Sequence, residues 1–326
     1  MTSGGNRLMS AGRLLERGAS ELDRVGVADS RIQAELLLRH ALGCSRESLL
    51  ARLHDPVPAE TSGHFFQLVE RRRGRVPVQY VVGTQEFYGL SFRVTPAVLI
   101  PRPESEGLVE EAVRELGDIH EPRIIDVGCG SGCIAVAIAH TLPDAELVAI
   151  DASPAALAIA RENALRHGVA SRIEFLEGDL LAPLQTVDVD VDAIVSNPPY
   201  IPDNELETLE PEVSEHEPRQ ALSGGKDGLS VIERLLPAAD KALRRGGWFF
   251  MEIGHDQDEG VRELVKKTGL DYLRTVPDLA GIPRIVVAKK PGQGDDKPRP
   301  TLRERSEPGA FGADETASRG ARPPRY

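Results

Sequence analysis

Short apolar runs with strand character alternate with helical stretches from residue 123 onward. Such alternation is typical of a doubly wound α/β domain, in which a mostly parallel sheet carries helices on its faces. The predicted strands lie at 123–127, 147–150, 172–176, 191–195 and 247–253, and an antiparallel pair at 272–276 and 284–288 closes the sheet. We therefore predict an α/β fold built on a mostly parallel sheet of seven strands.

Changes in residue pattern divide the chain into five segments. A helical period starts at Leu8, and β-type residues with turn signals later replace it, among them Tyr80, Val81 and Val82. The predicted segments are a disordered start (1–7), a helical domain (8–75), a β-hairpin linker (76–103), the α/β domain (104–290) and a disordered tail (291–326). The tail is rich in Gly, Pro, Ser and charges of both signs, a composition that cannot bury a core.

Two local patterns in the helical segment predict structure in detail. Ser30-x-x-Gln33 matches a capping box, which makes Ser30 the N-cap of a helix whose apolar positions are Ile32, Leu36, Leu37 and Ala41. The basic run at 71–75 is typical of a solvated helix end, with a binding patch as the alternative.

Charge and cysteine content argue against several protein classes. Against 39 Lys and Arg stand 51 Asp and Glu, and the formal net charge of -12 disfavours a protein that coats nucleic acid. No run approaches the ~20 apolar residues that span a bilayer, and residues 1–6 lack a signal sequence, so we expect a soluble cytoplasmic protein. The three cysteines, Cys44, Cys129 and Cys133, fit neither a disulfide framework nor a four-ligand metal site, and we expect no metal.

A glycine-rich turn follows the first strand of the α/β pattern. Its spacing is Asp126-x-Gly-x-Gly-x-Gly, with glycines at 128, 130 and 132, whereas a dinucleotide fingerprint reads Gly-x-Gly-x-x-Gly. Because Asp126 is acidic where a phosphate would need donors, it could instead hold an ammonium group. The turn therefore does not require a pyrophosphate ligand.

Acidic residues also end the next two strands. Asp151, at the end of the second strand, is placed to accept both hydroxyls of a ribose. Asp179, at the end of the third strand, could accept from an adenine amino group while the N–H of Leu180 donates to the ring. Together with an ammonium site, these positions describe an amino acid joined to adenosine, which is S-adenosylmethionine.

The fourth strand ends in the tetrad Asn197-Pro198-Pro199-Tyr200. Proline neither extends a central strand nor donates within one, so the chain must leave the sheet there. Each residue that precedes a proline is held extended, which leaves rigid oxygen acceptors at the strand tip with an aromatic ring beside them. This arrangement is suited to grip a planar NH2 group.

The chain resembles the HemK/PrmC family of class I methyltransferases, which methylate the glutamine nitrogen in the Gly-Gly-Gln motif of peptide chain release factors. The resemblance covers about residues 14–288 and depends on several motifs in one order. They lie at 77–83, 87–92, 99–106, 126–132, 197–200, 217–218, 221–222, 224–229 and 252–254, with Gln257. Three departures lie outside the tetrad: Ser105 replaces the usual Thr, His216 a frequent aromatic residue, and Ile232 a common Tyr.

The resemblance implies a class I Rossmann-like fold, a helical domain that recognises release factors, and S-adenosylmethionine as cofactor. The implied cofactor site comprises Gly128, Cys129, Gly130, Ser131, Gly132, Asp151, Asp179, Leu180 and Asn197. The implied catalytic residues are Asn197, Pro198 and Tyr200, and Pro199 joins them in binding the glutamine.

Three other functions compete with this interpretation. Adenine presents the same planar NH2 group, so methylation of adenine N6 in nucleic acid is a rival, although the acidic chain favours a protein substrate and no sequence-specific nucleic-acid binding is expected. Glutamine methylation of a ribosomal protein is a closer rival, because the loop at 100–106 and the helical domain do not separate the two. A non-catalytic cofactor-binding adaptor is disfavoured by the intact tetrad.

Overall fold

The computed structural model describes residues 8–184 and 190–292, which form eleven α-helices and nine β-strands. The helices are α1 (Ala11–Asp23), α2 (Ser30–Leu42), α3 (Arg46–Ala51), α4 (Ala59–Arg73), α5 (Val78–Val82), α6 (Glu106–Leu116), α7 (Cys133–Thr141), α8 (Pro154–Arg166), α9 (Pro211–Ser214), α10 (Ser230–Ala242) and α11 (Asp258–Val265). The strands are β1 (Thr84–Phe87), β2 (Leu90–Arg93), β3 (Arg123–Val127), β4 (Glu146–Asp151), β5 (Ile173–Glu177), β6 (Val191–Ser196), β7 (Leu243–Glu252), β8 (Asp271–Pro277) and β9 (Pro283–Lys289). The predicted disorder at 1–7 and in the tail lies outside the described residues, apart from Pro291 and Gly292.

Strands β3 to β9 form one sheet in the order β5-β4-β3-β6-β7-β9-β8. The pairs among β3, β4, β5, β6 and β7 are parallel, whereas β9 runs antiparallel to β7 and β8. The predicted doubly wound, mostly parallel sheet of seven strands is therefore confirmed. Strand order reverses between β3 and β6, and the carboxyl ends of strands at such a switch point form a ligand crevice.

The two strands at the switch point are buried along their whole length. Every residue of β3 and of β6 is buried, as expected for central parallel strands that are covered on both faces. Helix α7 is apolar around almost its whole circumference and packs beside α6 and α8. This buried framework holds the strand ends in place, so the loops that leave them start from fixed positions.

Helices α1, α2 and α4 pack into a bundle ahead of the sheet. Its core contains the buried side chains Leu14, Leu37 and Phe65. Helix α1 approaches α4 closely at Gly18, where an added Cβ would lie 2.5 Å from the ring of Phe65. Within the described residues, no helix combines the length and the apolar composition needed to cross a membrane.

The predicted hairpin between bundle and sheet is present as β1 and β2, which pair in antiparallel register. The strand expected for residues 80–82 is wrong, because these residues belong to the short helix α5. Pro77 precedes that helix, and Gly83 ends it with a φ of 81°. The Tyr80 hydroxyl donates to the Val98 carbonyl over 2.6 Å, so burial of this side chain prevails over its strand preference.

The predicted capping box at the start of α2 is also wrong. Ser30 is the first helical residue, and Asp29 occupies the N-cap with a left-handed φ of 49° and no side-chain cap. The Gln33 amide donates instead to the Ala28 carbonyl over 2.8 Å. The helix consequently starts one residue earlier than the motif predicts.

Two of the four apolar side chains predicted for α2 do not pack in the core. Ile32 is 59% exposed and Leu36 is 37% exposed. The side chains that enter the core are those of Ala34, Leu37 and Leu38. The predicted positions Leu37 and Ala41 do pack in the bundle core, so the contacts with α1 and α4 confirm half of the predicted set and add Ala34 and Leu38.

The basic run at 71–75 is not a simple solvated helix end, because Arg72 is only 3% exposed. Its Nε donates to Gln33 Oε1 and its Nη2 to Glu212 Oε1, each over 2.5 Å. Arg75 Nη2 donates to Glu212 Oε2 over 2.6 Å. These two arginines therefore join the helical bundle to α9 of the α/β part.

Replacing Arg72 by Met should lower the free energy of unfolding by about 1–3 kcal/mol, because Gln33 and Glu212 lose buried charge-assisted hydrogen bonds. Chemical denaturation measures the change. Arg73→Met on the same helix is the matched control, since Arg73 makes only an exposed pair with Glu70 and should change stability by less than about 0.5 kcal/mol. Equal effects of the two substitutions would contradict the proposed junction.

Candidate active site

The loops that follow β3 and β6 lie side by side at the switch point. Val127 at the end of β3 pairs with Ser196 at the end of β6. The glycine turn therefore begins next to the tetrad, and a Cβ on Gly128 would lie 3.9 Å from the Asn197 carbonyl oxygen. Two motifs that are far apart in sequence thus share one crevice.

The glycine turn is fastened to the end of β4. The backbone N–H groups of Gly128 and Cys129 both donate to the Ile150 carbonyl, over 2.8 and 3.0 Å. At Gly132, φ is 77° and an added Cβ would lie 3.0 Å from that of Ala160, so only glycine fits without strain. Ser131 is buried and its carbonyl accepts from Asn163 Nδ2 over 2.9 Å.

Asp151 bridges the glycine turn and the start of α8. One carboxylate oxygen accepts from the Gly130 N–H over 2.8 Å, and the other accepts from the Ser153 N–H over 2.9 Å. A carboxylate offers about four lone-pair positions, so each oxygen retains capacity for a further donor. Asp151 can therefore serve hydroxyl groups of a ligand while it holds the turn.

Asp126 is fully buried beneath the same turn. Its Oδ2 accepts from the Ala135 N–H over 3.1 Å, whereas its Oδ1 has no hydrogen-bond partner among the described residues. Burial raises the pKa of Asp126 to about 7, and the nearby carboxylate of Asp151 adds to the shift. An unpaired buried acceptor is the feature that a cationic ligand group would satisfy.

Asp179 and Leu180 lie in the turn after β5. Asp179 is exposed and forms an ion pair with Arg234 of α10. Leu180 has a left-handed φ of 52°, an uncommon conformation for this residue type. The turn is joined to β4 because the Gly178 N–H donates to the Asp151 carbonyl over 3.0 Å.

The tetrad is fastened to one buried carboxylate. Asn197 Nδ2 donates to Ser105 Oγ over 2.9 Å, and Ser105 Oγ donates to Glu252 Oε2 over 2.5 Å. The Tyr200 hydroxyl donates to Glu252 Oε1 over 3.2 Å. Ser105 and Glu252 are 2% and 1% exposed, Pro198 is buried, and Asn197, Pro199 and Tyr200 are half-buried.

Electrostatics around Glu252 involve groups from several elements. Burial raises the pKa of Glu252, and the hydrogen bonds from Ser105 and Tyr200 act against that shift. The positive charge of Arg284 also lowers its pKa, and the negative charge of Glu104 raises it. Burial raises the pKa of Tyr200 as well, so its phenol stays protonated and donates.

A second fastening holds the backbone after the tetrad. Gln257 Nε2 donates to the carbonyls of Tyr200 and Gly228, over 2.9 and 3.2 Å. Gln257 Oε1 accepts from the Gly254 N–H over 2.9 Å. This single amide therefore joins three loops behind the tyrosine.

A cavity of about 490 Å³ lies between the helical bundle and the α/β part. Arg72 and Arg75 line it from the bundle, and Arg102 and Glu217 line the opposite wall. Arg102 Nη2 donates to Glu217 Oε1 over 2.5 Å. Its charge is also close enough to Tyr200 to oppose the effect of burial on the tyrosine pKa.

Comparison with known proteins gives two family matches. Residues 13–83 match the PrmC N-terminal domain, and residues 106–213 match the methyltransferase small domain. A release factor glutamine methyltransferase from Geobacter sulfurreducens is 46% identical over 274 residues, which cover 84% of this chain and 94% of that protein. One from Moorella thermoacetica is 44% identical over 281 residues, which cover 86% and 98%.

The chain belongs to the release factor glutamine methyltransferase family. It is a methyltransferase that depends on S-adenosylmethionine, as the resemblance in sequence predicted. A crystal structure of the hMettl16 catalytic domain with an RNA hairpin is similar in fold, with a TM-score of 0.50 and 18% identity over 65% of this chain and 79% of that chain. At this level of identity the similarity concerns the fold alone.

The residues around the glycine turn fit the cofactor of this methyltransferase family. Asp126 presents an unpaired buried acceptor, and Asp151 retains acceptor capacity at the adjacent strand end. Cys129 and Cys133 are buried, and burial raises the pKa of both thiols, so they remain neutral parts of the turn. Among the described residues, no cluster of His, Cys, Asp and Glu could hold a metal ion.

Sequence reasoning assigned no role to Ser105, Glu252 or Gln257. All three occur within family motifs, at 99–106, at 252–254 and at Gln257 itself, and that occurrence was the available signal. The departure from Thr to Ser at residue 105 contacts the tetrad directly, since its hydroxyl binds Asn197. The hydroxyl function is common to both residue types, so the contact survives the exchange.

Substitution of Gly228 by Ala should disturb the fastening behind the tetrad in this methyltransferase. An added Cβ would lie 2.3 Å from the Tyr200 carbonyl oxygen, at a φ of 76°, and should cost about 2–4 kcal/mol of unfolding free energy. Gly168→Ala is the matched control, because φ there is 70° but no heavy atom lies within 4 Å, and it should cost only about 1–2 kcal/mol. Denaturation curves that rank the two variants in the opposite order would refute the proposed crowding.

Proposed function

We propose that this enzyme transfers a methyl group from S-adenosylmethionine to the N5 nitrogen of the glutamine in the Gly-Gly-Gln motif of peptide chain release factors, and so supports translation termination. The observation that carries the proposal is the tetrad at the switch point, with the Asn197 amide bonded through its nitrogen to Ser105. The oxygen of that amide is left to accept from a substrate NH2 group. The names of the relatives support the release factor as the protein that presents this group.

A glutamine nitrogen is a poor nucleophile because its lone pair is delocalised, the resonance that gives an amide a rotation barrier of ~18–20 kcal/mol. If the Asn197 oxygen and the Pro198 carbonyl each accept one N–H, the nitrogen becomes more pyramidal and its lone pair can face the methyl carbon. The ring of Tyr200 would cover the amide plane and exclude water. Alignment of two reactants in this manner can supply ~7–11 kcal/mol of the barrier.

The proposed transfer needs no acid or base from the tetrad. The nitrogen–carbon bond forms while the sulfur–carbon bond breaks, and the electron pair of that bond stays on sulfur. The methylated nitrogen is strongly acidic and loses its proton to water. This accounts for a tetrad that contains no His, Asp or Glu.

We propose that each of three acidic residues binds a different part of the cofactor. Asp126 would bind the ammonium group, Asp151 the ribose hydroxyls, and Asp179 with the N–H of Leu180 the adenine. The remaining proposed contacts lie along the glycine turn, from Gly128 through Cys129, Gly130 and Ser131 to Gly132, and at Asn197.

The helical segment 8–75 is proposed to recognise the release factor, with 76–103 as linker and 104–290 as catalytic domain. The cavity between bundle and α/β part supports this division, since it is lined by residues of both parts and by Arg102, whose charge acts on Tyr200. Because release factors act on the ribosome, the proposed place of action is the cytoplasm.

The proposal is tested by incubating the full chain and labelled S-adenosylmethionine with three acceptors in separate reactions. The acceptors are a purified release factor, ribosomal protein and DNA. We expect label on the release factor, and none on a release factor whose motif glutamine is replaced by alanine. Label only on ribosomal protein or DNA would select one of the rival functions.

In the same assay, Asn197→Ala should lower kcat by something on the order of 10²–10³, as for the loss of one preorganised polar contact. Cofactor affinity should change much less, which calorimetry can show on the same preparation. Near-normal turnover of this variant would exclude the proposed role of Asn197.

Cofactor affinity should also depend on pH through Asp126. Since burial raises the pKa of Asp126 to about 7, lowering the pH from 7.5 to 6 protonates it and removes the partner of the ammonium group. Affinity should therefore fall by up to about tenfold over this interval, and binding at pH 6 should release a proton.

Asp126→Asn is the control for this dependence. It should bind the cofactor more weakly at pH 7.5 and should lose the variation between pH 6 and 7.5, because no titrating group remains at that position. Calorimetry in buffers of different ionisation enthalpy measures both affinity and proton release. A pH-independent affinity of the unaltered enzyme would contradict the assignment of Asp126.

A further inference from the structure

An asparagine at the acceptor site has two possible orientations, and only one of them suits the proposed reaction. The side-chain oxygen can accept from a substrate NH2 group, whereas the side-chain nitrogen can only donate. If the Asn197 amide were flipped, its NH2 group would face the substrate NH2 group, and two donors cannot form a hydrogen bond. Some group outside the tetrad must therefore select the orientation.

We propose that Glu252 is the positioning residue of the acceptor site, acting on Asn197 through Ser105 and on Tyr200 directly. This inference rests on the proposed function for the identity of the acceptor. It adds a role for two residues that touch neither reacting atom.

The orientation of the Asn197 amide follows from the single proton of the Ser105 hydroxyl. An ionised carboxylate can only accept, so the Ser105 hydroxyl must donate its single proton to Glu252. Ser105 Oγ and Glu252 Oε2 lie 2.5 Å apart. Toward Asn197 the hydroxyl can then only accept. Asn197 must consequently present its nitrogen to Ser105, over 2.9 Å, and its oxygen points elsewhere.

The second oxygen of Glu252 determines the position of the tyrosine. It accepts from the Tyr200 hydroxyl over 3.2 Å, so one carboxylate holds both ends of the tetrad. With Glu252 1% exposed and Ser105 2% exposed, water has no access to replace either partner. The spacing between the Asn197 amide and the Tyr200 ring is thereby coupled to one buried group.

Protonation of Glu252 on Oε2 would reverse this direction, because that oxygen would then donate to Ser105 Oγ and leave the serine proton for Asn197. The charged and titratable groups around it are Arg284 on β9, Glu104 in the turn before α6, and Tyr200 itself. Burial raises the pKa of Glu252, whereas the hydrogen bonds from Ser105 and Tyr200 and the positive charge of Arg284 act against that shift. Arg284 is held by Asp278, whose carboxylate accepts from it over 3.1 Å. Its positive charge favours the ionised state that the selection requires.

Ser105→Ala and Ser105→Thr form the test pair in the full-length enzyme. Loss of the hydroxyl should lower kcat on the order of 10- to 100-fold with little change in the cofactor Kd. The threonine variant keeps the hydroxyl and should stay within about threefold of the unaltered enzyme, since a hydroxyl of the same bonding capacity is retained. Glu252→Gln, in which an NH2 donor replaces one acceptor oxygen, should reproduce the loss.

Ser196→Ala is the matched control for loss of a buried hydroxyl. Ser196 directly precedes Asn197, is fully buried and donates to the Val127 carbonyl over 2.8 Å, but it lies outside the Glu252 network. Its kcat should change by less than about threefold, although its loss of stability should be similar, as expected for one buried hydrogen bond. Calorimetry gives the number of cofactor molecules bound per chain, which measures the fraction of folded enzyme in each variant.

A measurement without any acceptor separates this inference from the proposed function. With selective ¹⁵N labelling of asparagine, the Asn197 side-chain NH2 signals, assigned by their absence in Asn197→Ala, should shift and exchange faster in Ser105→Ala but not in Ser105→Thr or Ser196→Ala. Unchanged signals in Ser105→Ala would overturn the positioning role, whatever the acceptor is. Failure to label any release factor would overturn the proposed function alone.

Discussion

The parallel pairing of β3 with β6 is the contact on which the rest of the site depends. It sets Val127 against Ser196, so the turn proposed to bind the cofactor and the tetrad proposed to bind the acceptor leave the sheet at one edge. Both strands are buried throughout, and neither can slide without exposing its apolar side chains. The two candidate motifs are therefore aligned by the core of the sheet.

Features that depend on neighbouring residues could be predicted from the sequence. The alternation of strands and helices in the residue pattern indicated the mostly parallel sheet. Features that depend on distant partners could not. Arg72 looked solvated because its partner Glu212 lies 140 residues further along the chain.

In the candidate site, too, the local features could be predicted from the sequence and the long-range contacts could not. The rigid tetrad followed from proline geometry alone, which is local. Its support did not, because Ser105 and Glu252 lie 92 and 52 residues from the tetrad members that they bind. A serine and a glutamate at such separations have no pattern of their own, and only folding shows that their hydrogen bonds run in one direction.

The site concentrates buried acids, and this has a consequence for stability. Burial raises the pKa of Asp126, Glu217 and Glu252, so in the folded state each acid retains its proton to a higher pH than in the unfolded chain. The folded state then binds more protons, and its stability decreases as pH rises from the ordinary carboxyl range through these raised values. The charge of Arg102 partly offsets the raised pKa of Glu217, and the charge of Arg284 partly offsets that of Glu252. At Asp126 the group that offsets burial is the backbone N–H of Ala135. The cost of burying a charge is therefore least offset at Asp126, and the ammonium group proposed to bind there would favour its ionised state.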